Sequence, residues 1–132
     1  MRSAGQDADV PIDRRAIGRR AEDAVATYLE ARGCAILARN LRLGSLEIDL
    51  VAKKGALVVV VEVRTRGAGS FTGPLGSITP KKRESLLRAA ERLWRERLRS
   101  MADVERVRID VAGVTFEGPH TRITYVPGAI VG

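Results

Sequence analysis

Four charged residues on two consecutive predicted strands are the strongest chemical feature of the sequence. Glu47 and Asp49 lie in the segment LEIDLVA, and Glu62 and Arg64 lie in VVVVEVRTR. Because side chains alternate between the faces of a strand, both members of each pair point to the same face. Glu62 interrupts a run of valines, where a purely structural strand would continue with another apolar residue. The pattern indicates a carboxylate cluster.

The turn between the strands relates the two pairs. Lys53-Lys54-Gly55-Ala56 has the composition of a hairpin turn, with a glycine that can take positive φ. With Lys54-Gly55 as the loop, or with all four residues as the loop, Glu47 lies opposite Glu62. Any even-length loop without a bulge keeps the four side chains on one face, because a register shift of two residues preserves facing. The sequence therefore predicts that three carboxylates and one guanidinium converge.

A divalent cation would relieve this crowding, since like charges repel and the valines exclude water. Oxygen ligands without His or Cys suit Mg²⁺ or Mn²⁺, whose remaining coordination positions take waters and substrate phosphates. Such a metal polarises a phosphodiester and lowers the pKa of an attacking water. The alternative is that the charges lie on a solvated strand face, with Arg64 paired to Glu62 or Glu47.

The composition is that of one globular domain. The chain has 132 residues, 45% hydrophobic and 30% charged, which is unlike a disordered chain. Lys and Arg outnumber Asp and Glu by 23 to 16, for a net charge of +7 that favours polyanions, nucleic acid first. The single cysteine, Cys34, excludes an intrachain disulfide and a thiolate zinc site. The N-terminal segment MRSAGQDADV lacks the apolar region of a signal peptide, and no apolar run reaches membrane length, so we expect a cytoplasmic protein without membrane contact.

The elements that would position the charged residues follow from hydrophobic spacing and turn residues. In order, the sequence predicts a helix from Asp13 to Gly33, strands at Cys34–Arg39, Leu46–Leu50 and Leu57–Val63, a glycine-rich loop Gly67–Thr79, a helix from Pro80 to Met101, and strands Val107–Val114 and Arg122–Val126. We expect an α/β fold with a mixed sheet flanked by helices. Residues 1–12 form a flexible arm, 13–126 a single nuclease-like α/β domain and 127–132 a tail.

Basic residues form a stripe on the second predicted helix, opposite its apolar face. The candidate contacts to nucleic acid are Lys81, Lys82, Arg88, Arg92 and Arg95, together with Arg66 on the preceding strand; Arg99 extends the stripe, and Arg14, Arg15, Arg19 and Arg20 form a second cluster. Arginine binds phosphate in bidentate fashion. Aromatic residues make up only 4% of the chain, which favours duplex or branched substrates over single strands. The alternative is an ordinary solvated helix face.

These residues also carry a resemblance to a known family. The motifs are Gly18-x-x-Ala21-Glu22, Tyr28-Leu29, Arg39-Asn40-x-Arg42, Glu47-Ile48-Asp49-Leu50, Val61-Glu62-Val63-Arg64-x-Arg66 and Lys81-Lys82. They resemble the YraN family of predicted endonucleases over about Ala16 to Val111. That family is similar to the restriction endonuclease-like PD-(D/E)XK superfamily, which includes archaeal Holliday junction resolvases and has an αβββαβ core.

The resemblance implies roles for individual residues. Asp49 and Glu62 would be metal ligands, Arg64 would occupy the position of the catalytic Lys, and Glu22 would be the acidic residue of the first helix. The alternative for Glu22 is a solvated residue paired with Arg19 or Arg20. Two positions depart from the family, since Leu46 replaces a Gly and Arg64 replaces the more usual Lys. Arginine stays protonated, so it could stabilise charge but hardly serve as a base.

The sequence thus predicts a metal-dependent nuclease with Mg²⁺ or Mn²⁺ that acts on structured DNA rather than RNA. The main alternative is a catalytically inactive nucleic-acid-binding module with the same fold, which the arginine at position 64 favours. A third hypothesis is a basic protein that docks on another protein. Only the net positive charge supports it. A junction-cutting enzyme would need a symmetric dimer to reach two strands, so a homodimer is a further expectation.

Overall fold

The computed structural model describes residues 13–66 and 73–132. The chain forms, in order, α1 (Arg14–Ala31), β1 (Ala35–Leu43), β2 (Leu46–Lys54), β3 (Leu57–Arg66), a 3₁₀ turn (Pro74–Ser77), α2 (Pro80–Leu93) with a π-helical turn (Trp94–Leu98), β4 (Arg106–Glu117) and β5 (His120–Ile130). The predicted arm over residues 1–12 and residues 67–72 of the predicted loop lie outside the described part.

Both helices begin where their capping residues predict. The Asp13 carboxylate accepts hydrogen bonds from the backbone N–H groups of Arg15 and Ala16, at 3.0 and 3.2 Å. The Thr79 hydroxyl accepts from the Lys82 N–H at 3.1 Å, and Pro80 occupies the first position of α2. These side chains satisfy N–H groups that have no partner inside the helix.

The five strands form one sheet in the order β1-β2-β3-β4-β5. β3 and β4 are parallel and joined through α2, whereas the other neighbours are antiparallel. Four consecutive valines of β3 are fully or almost fully buried: Val58 and Val60 pack with α2, and Val59 and Val61 pack with α1. The result is three layers with β3 at the centre, which confirms the predicted α/β fold and the αβββαβ order of elements.

The hairpin of β2 and β3 corrects the predicted register. Its loop is Gly55-Ala56, with Lys54 opposite Leu57 and Leu50 opposite Val61. Gly55 has a φ of +60° and Ala56 does not have a positive φ, which fits a type II′ turn. The predicted loop lay one residue too early, so the facing of Glu47 and Glu62 is wrong. Continued by one residue, the observed register sets Asp49 level with Glu62.

Element ends differ in two further places. β5 continues through Ile130, which is buried in the core, so most of the predicted tail belongs to the sheet. The second helix widens into the π-helical turn after Leu93 instead of continuing as a regular α-helix to Met101.

Across the described residues, no helix combines the length and apolar character needed to cross a membrane.

A buried acidic residue that sequence reasoning missed holds β4 and β5 together. Asp110 is fully buried, and the ladder between these strands is irregular between Ile109 and Val111. Its carboxylate accepts from Arg108 Nε and Nη2 at 2.8 and 2.9 Å, from the Gly128 N–H at 2.8 Å, and from the Tyr125 hydroxyl. Burial and the neighbouring Asp110 raise the pKa of the Tyr125 hydroxyl. Four donors thus compensate one buried charge.

Replacing this carboxylate should destabilise the protein strongly. Asp110→Asn keeps the side-chain shape but turns an amide NH₂ group toward donors, so we expect a loss of about 3 kcal/mol in the free energy of unfolding. Urea denaturation measures it. Glu117→Gln is a control on the same strand pair, because its ion pair with Arg122 is largely exposed, and it should cost less than about 1 kcal/mol. Equal effects of the two substitutions would contradict the role of Asp110.

Candidate functional site

Glu62 is the centre of the site. Its side chain is only 3% exposed, on the face of β3 that packs toward α2. Its Oε2 accepts from Arg64 Nη1 at 3.2 Å and lies 3.5 Å from Lys82 Nζ. Its Oε1 is buried and accepts no hydrogen bond from a donor group among the described residues, so its remaining neighbour is the Asp49 carboxyl, to which it can bond only through a shared proton. A buried carboxylate oxygen that accepts no hydrogen bond lowers the stability of the folded state. A hydrogen-bond donor or a cation at this atom would therefore stabilise the ionised side chain.

The surroundings of Glu62 favour its protonated form. Burial is the main cause, and the charge of Asp49 and a hydrogen bond between the two carboxyls add to it. Together they raise the pKa of the Glu62 carboxyl to about 7, from an ordinary value of 4.5. Lys82 and Arg64 act in the opposite direction, because positive charge stabilises the carboxylate. The two cations thus compensate only part of the desolvation.

Asp49 lies beside Glu62 because the register of the hairpin sets the two residues level, and β2 is distorted next to Asp49. Ile48 belongs to the core on the α2 side and Leu50 to the core on the α1 side, although residues two apart on a regular strand share a face. Asp49 Oδ2 accepts from the Val63 backbone N–H at 2.9 Å, which ties it across the hairpin to β3. On the neighbouring strand, Asn40 has a φ of 49°, which is uncommon outside glycine.

The two other predicted acidic residues occupy different positions. Glu22 of α1 accepts from Asn40 Nδ2 at 3.2 Å rather than from Arg19 or Arg20. Its pKa is raised, first by burial, against the opposing Asn40 hydrogen bond, and further by the charges of Asp49 and Glu47, which places it at the margin of the pair. Glu47 is exposed and forms an ion pair with Arg42 at 3.1 Å.

The carboxylates therefore form a pair rather than a triad. Within residues 13–66 and 73–132, no three acidic, His or Cys side chains approach closely enough to form one metal site. Asp49 and Glu62 still fit a hard cation, since Mg²⁺ is commonly held by one or two carboxylates with waters and phosphates in the remaining positions. The observation that supports this fit is the buried Oε1 of Glu62, which accepts no hydrogen bond from a donor group among the described residues.

Arg64 is held by a contact that the sequence did not reveal. Its Nε donates to Ser77 Oγ at 3.1 Å and its Nη2 donates to the Ser77 carbonyl at 3.0 Å, while Nη1 contacts Glu62. Ser77 closes the 3₁₀ turn, whose Pro74 packs against Gly113 of β4. Ser77 is 13 residues from Arg64 in the sequence, inside a segment read as loop, so no periodic signal could have paired them.

The predicted basic stripe divides into free and engaged side chains. Lys81 and Arg88 are exposed and form no ion pair with another described residue. Arg92 donates to the Leu43 carbonyl at 3.1 Å and pairs with Glu96, so it is tied to the turn between β1 and β2. Arg95 pairs loosely with Glu91 at 3.9 Å. The side chain of Arg66, the last residue of β3, lies outside the described part.

The fold and this site define an α/β protein with an αβββαβ core and an acidic pair on its hairpin, made of the buried Glu62 and the half-buried Asp49. A family model described as "Uncharacterised protein family UPF0102" matches residues 21–114, and the chain belongs to this family. This confirms the resemblance to YraN proteins. The matched segment includes Glu22, Asp49, Glu62, Arg64 and Lys82.

Individual relatives agree with this assignment. A UPF0102 protein of Sorangium cellulosum is 54% identical over 103 residues, which are 78% of this chain and 72% of that protein. One from Streptomyces coelicolor is 44% identical over 112 residues, 84% of each chain. Among solved structures, Pyrococcus furiosus SfsA in complex with Ca²⁺ is similar at a TM-score of 0.44 and 17% identity, over 91% of this chain and 66% of that one.

The pKa of Glu62 predicts how stability depends on pH. Between pH 4.5 and about 7 the folded protein keeps a proton on Glu62 that the unfolded chain has released, so the free energy of unfolding should fall as pH rises. For the metal-free protein we expect a fall of about 3 kcal/mol from this group. Urea denaturation with EDTA present, at closely spaced pH values, measures it.

Glu62→Gln should flatten this dependence, because the titrating group is gone. Glu105→Gln, at an exposed glutamate, is the control and should keep the wild-type slope. A Glu62→Gln variant that loses stability with pH as steeply as the wild type would show that another group causes the effect.

Proposed function

We propose that this protein is a metal-dependent nuclease that hydrolyses phosphodiester bonds of structured DNA, either duplex or branched. The observation that carries the proposal is the close pair of Glu62 and Asp49, in which the buried Oε1 of Glu62 accepts no hydrogen bond from a donor group among the described residues. A buried carboxylate in the central strand lowers the stability of the fold. A functional role for Glu62, in addition to any structural one, explains why the strand contains it.

Each residue of the site would have a distinct task. Asp49 and Glu62 would hold Mg²⁺ or Mn²⁺, which when bound would supply Lewis-acid activation of the phosphodiester. The Asp49 carboxylate is already oriented by the Val63 N–H. Glu22, oriented by Asn40, adds negative potential that attracts a cation to the same place. Glu47 is directed to Arg42 and does not contact the pair.

A nucleic acid is the proposed class of substrate because of the charge around this site. The chain carries a net charge of +7, and the exposed Lys81 and Arg88 follow α2 away from Glu62. Phosphate contacts of this kind give affinity without sequence specificity. The choice of DNA over RNA, a homodimer and a cytoplasmic location stay predictions from the sequence.

One observation favours an inactive nucleic-acid-binding module as the second candidate. Arg64 and Lys82 both contact Glu62 Oε2, so this carboxylate has partial charge compensation without any metal. A protein that had lost catalysis could keep these contacts to stabilise its core. The two functions differ in metal dependence, which makes them separable by experiment.

Cleavage assays test the proposed activity. We expect wild-type protein with Mn²⁺ or Mg²⁺ to cut duplex or four-way-junction DNA, and not to cut with EDTA. Asp49→Ala and Glu62→Ala should each abolish cleavage while leaving DNA binding intact or tighter, because negative charge near the phosphates is removed. Glu105→Ala should cut like wild type, and circular dichroism checks folding. Metal-independent binding without any cleavage would favour the inactive module.

Metal binding can be tested without turnover. Mn²⁺ or Mg²⁺ at millimolar concentration should raise the melting temperature of the wild type, because a ligand that binds only the folded state stabilises it. Asp49→Asn should lose this response. A wild-type melting temperature that does not change with either metal would contradict the proposed site.

The DNA surface predicts a graded effect of charge. Reversing Arg88 to Glu should weaken DNA binding and reduce the slope of log K against log salt by about 1, as for the loss of one phosphate contact. Arg122→Glu makes the same charge change on the exposed β5, where it should have little effect on the slope. Fluorescence anisotropy at several salt concentrations measures both. Equal slopes for the two variants would exclude α2 from the DNA surface.

A further inference from the structure

Two cations contact Glu62, but only one of them is fixed by other groups. Arg64 uses Nε and Nη2 on Ser77 and Nη1 on Glu62. Lys82 has one contact with a described residue through its ammonium group, at 3.5 Å from Glu62 Oε2, and its side chain is 37% exposed. An ammonium group has three hydrogens that rotate about a flexible stem, so Lys82 can contact Glu62 and a second anion together.

We propose that Lys82 is a catalytic residue that contacts the scissile phosphate, and that Arg64 is a positioning residue for Glu62. The proposal rests on the proposed nuclease function and deepens it. It transfers to α2 the charge-stabilising role that the resemblance assigned to position 64 on β3. The sequence analysis counted Lys82 only among general contacts to nucleic acid.

The start of α2 places Lys82 for this role. The Thr79 hydroxyl fixes the Lys82 backbone N–H at 3.1 Å, and Pro80 sets the direction of the first turn. Lys81, one residue earlier, is exposed, whereas Lys82 is partly buried toward Glu62. The positive end of the helix dipole lies at the same turn and favours an anion there.

The chemical step needs such a charge. In hydrolysis a water oxygen forms a bond to phosphorus and loses a proton to solvent, while the bond from phosphorus to the leaving deoxyribose oxygen breaks with its electron pair. The leaving oxygen then takes up a proton. Negative charge grows on the phosphoryl oxygens as the bonds exchange, and a contacting ammonium stabilises it. Lys82 therefore acts as a fixed charge and needs no change of protonation.

Steady-state cleavage separates Lys82 from its neighbours. Lys82→Gln should lower kcat about 100- to 1000-fold, the usual cost of losing one electrostatic stabiliser, and Lys82→Arg should restore part of it. Lys81→Gln should raise KM and leave kcat close to that of the wild type. Lys54→Gln, an exposed lysine at the hairpin turn, makes the same charge change away from the site and is the control.

Binding of Mn²⁺ alone gives a readout that does not depend on activity. Removing a positive charge next to Glu62 should tighten Mn²⁺ binding by Lys82→Gln at least about threefold, since like charges at this range repel. Lys54→Gln should bind Mn²⁺ like wild type. Isothermal titration calorimetry measures both, and a Mn²⁺ affinity unchanged in Lys82→Gln would overturn the placement of this ammonium at the metal ligands.

The outcomes distinguish the two proposals. If the wild type cuts DNA and Lys82→Gln cuts with the same kcat, Lys82 is not a catalytic residue and the nuclease function stands. If the wild type cuts no DNA with either metal, the nuclease function fails, and the catalytic role of Lys82 fails with it.

Discussion

The structure depends on one constraint, a carboxyl group placed inside the most apolar strand of the chain. Glu62 follows four valines that are buried on both faces of β3, and its own side chain is 3% exposed. Arg64 and Lys82 compensate part of the cost of this burial, because their positive charges contact the carboxylate. Asp49 accepts a hydrogen bond across the hairpin, from the Val63 N–H, instead of pointing to solvent. The burial of this one group costs the central strand stability.

Much of the molecule was predictable, because hydrophobic spacing and capping residues are local signals. The helix starts at Asp13 and Thr79 and the order of strands follow from them. The register was not, since it depends on whether Gly55 takes the first or the second position of the turn, and both choices agree with the same pattern. The individual site residues were identifiable, but the pairing of Asp49 with Glu62 required that register.

Contacts between residues distant in the sequence could not be predicted either. The sequence placed Arg92 on a DNA-facing stripe, yet its guanidinium lies against Leu43 and Gly44, where an added Cβ would come within 2.4 Å of Nη1. Asp110 looked like an ordinary residue of an alternating strand, yet it accepts four hydrogen bonds from two strands. Neither role produces a periodic pattern in the sequence, because the partners are distant in the chain and become neighbours only when the sheet forms.

The packing of Pro74 on Gly113 connects a remote strand to the acidic pair. A Cβ at position 113 would lie 2.8 Å from Pro74 Cγ, so any larger residue there would displace the 3₁₀ turn. That turn carries Ser77, which holds two of the three engaged nitrogens of Arg64. The charge balance of Glu62 therefore depends on a glycine that does not contact its carboxylate. The size of the side chain at position 113 acts on that balance through steric contact alone.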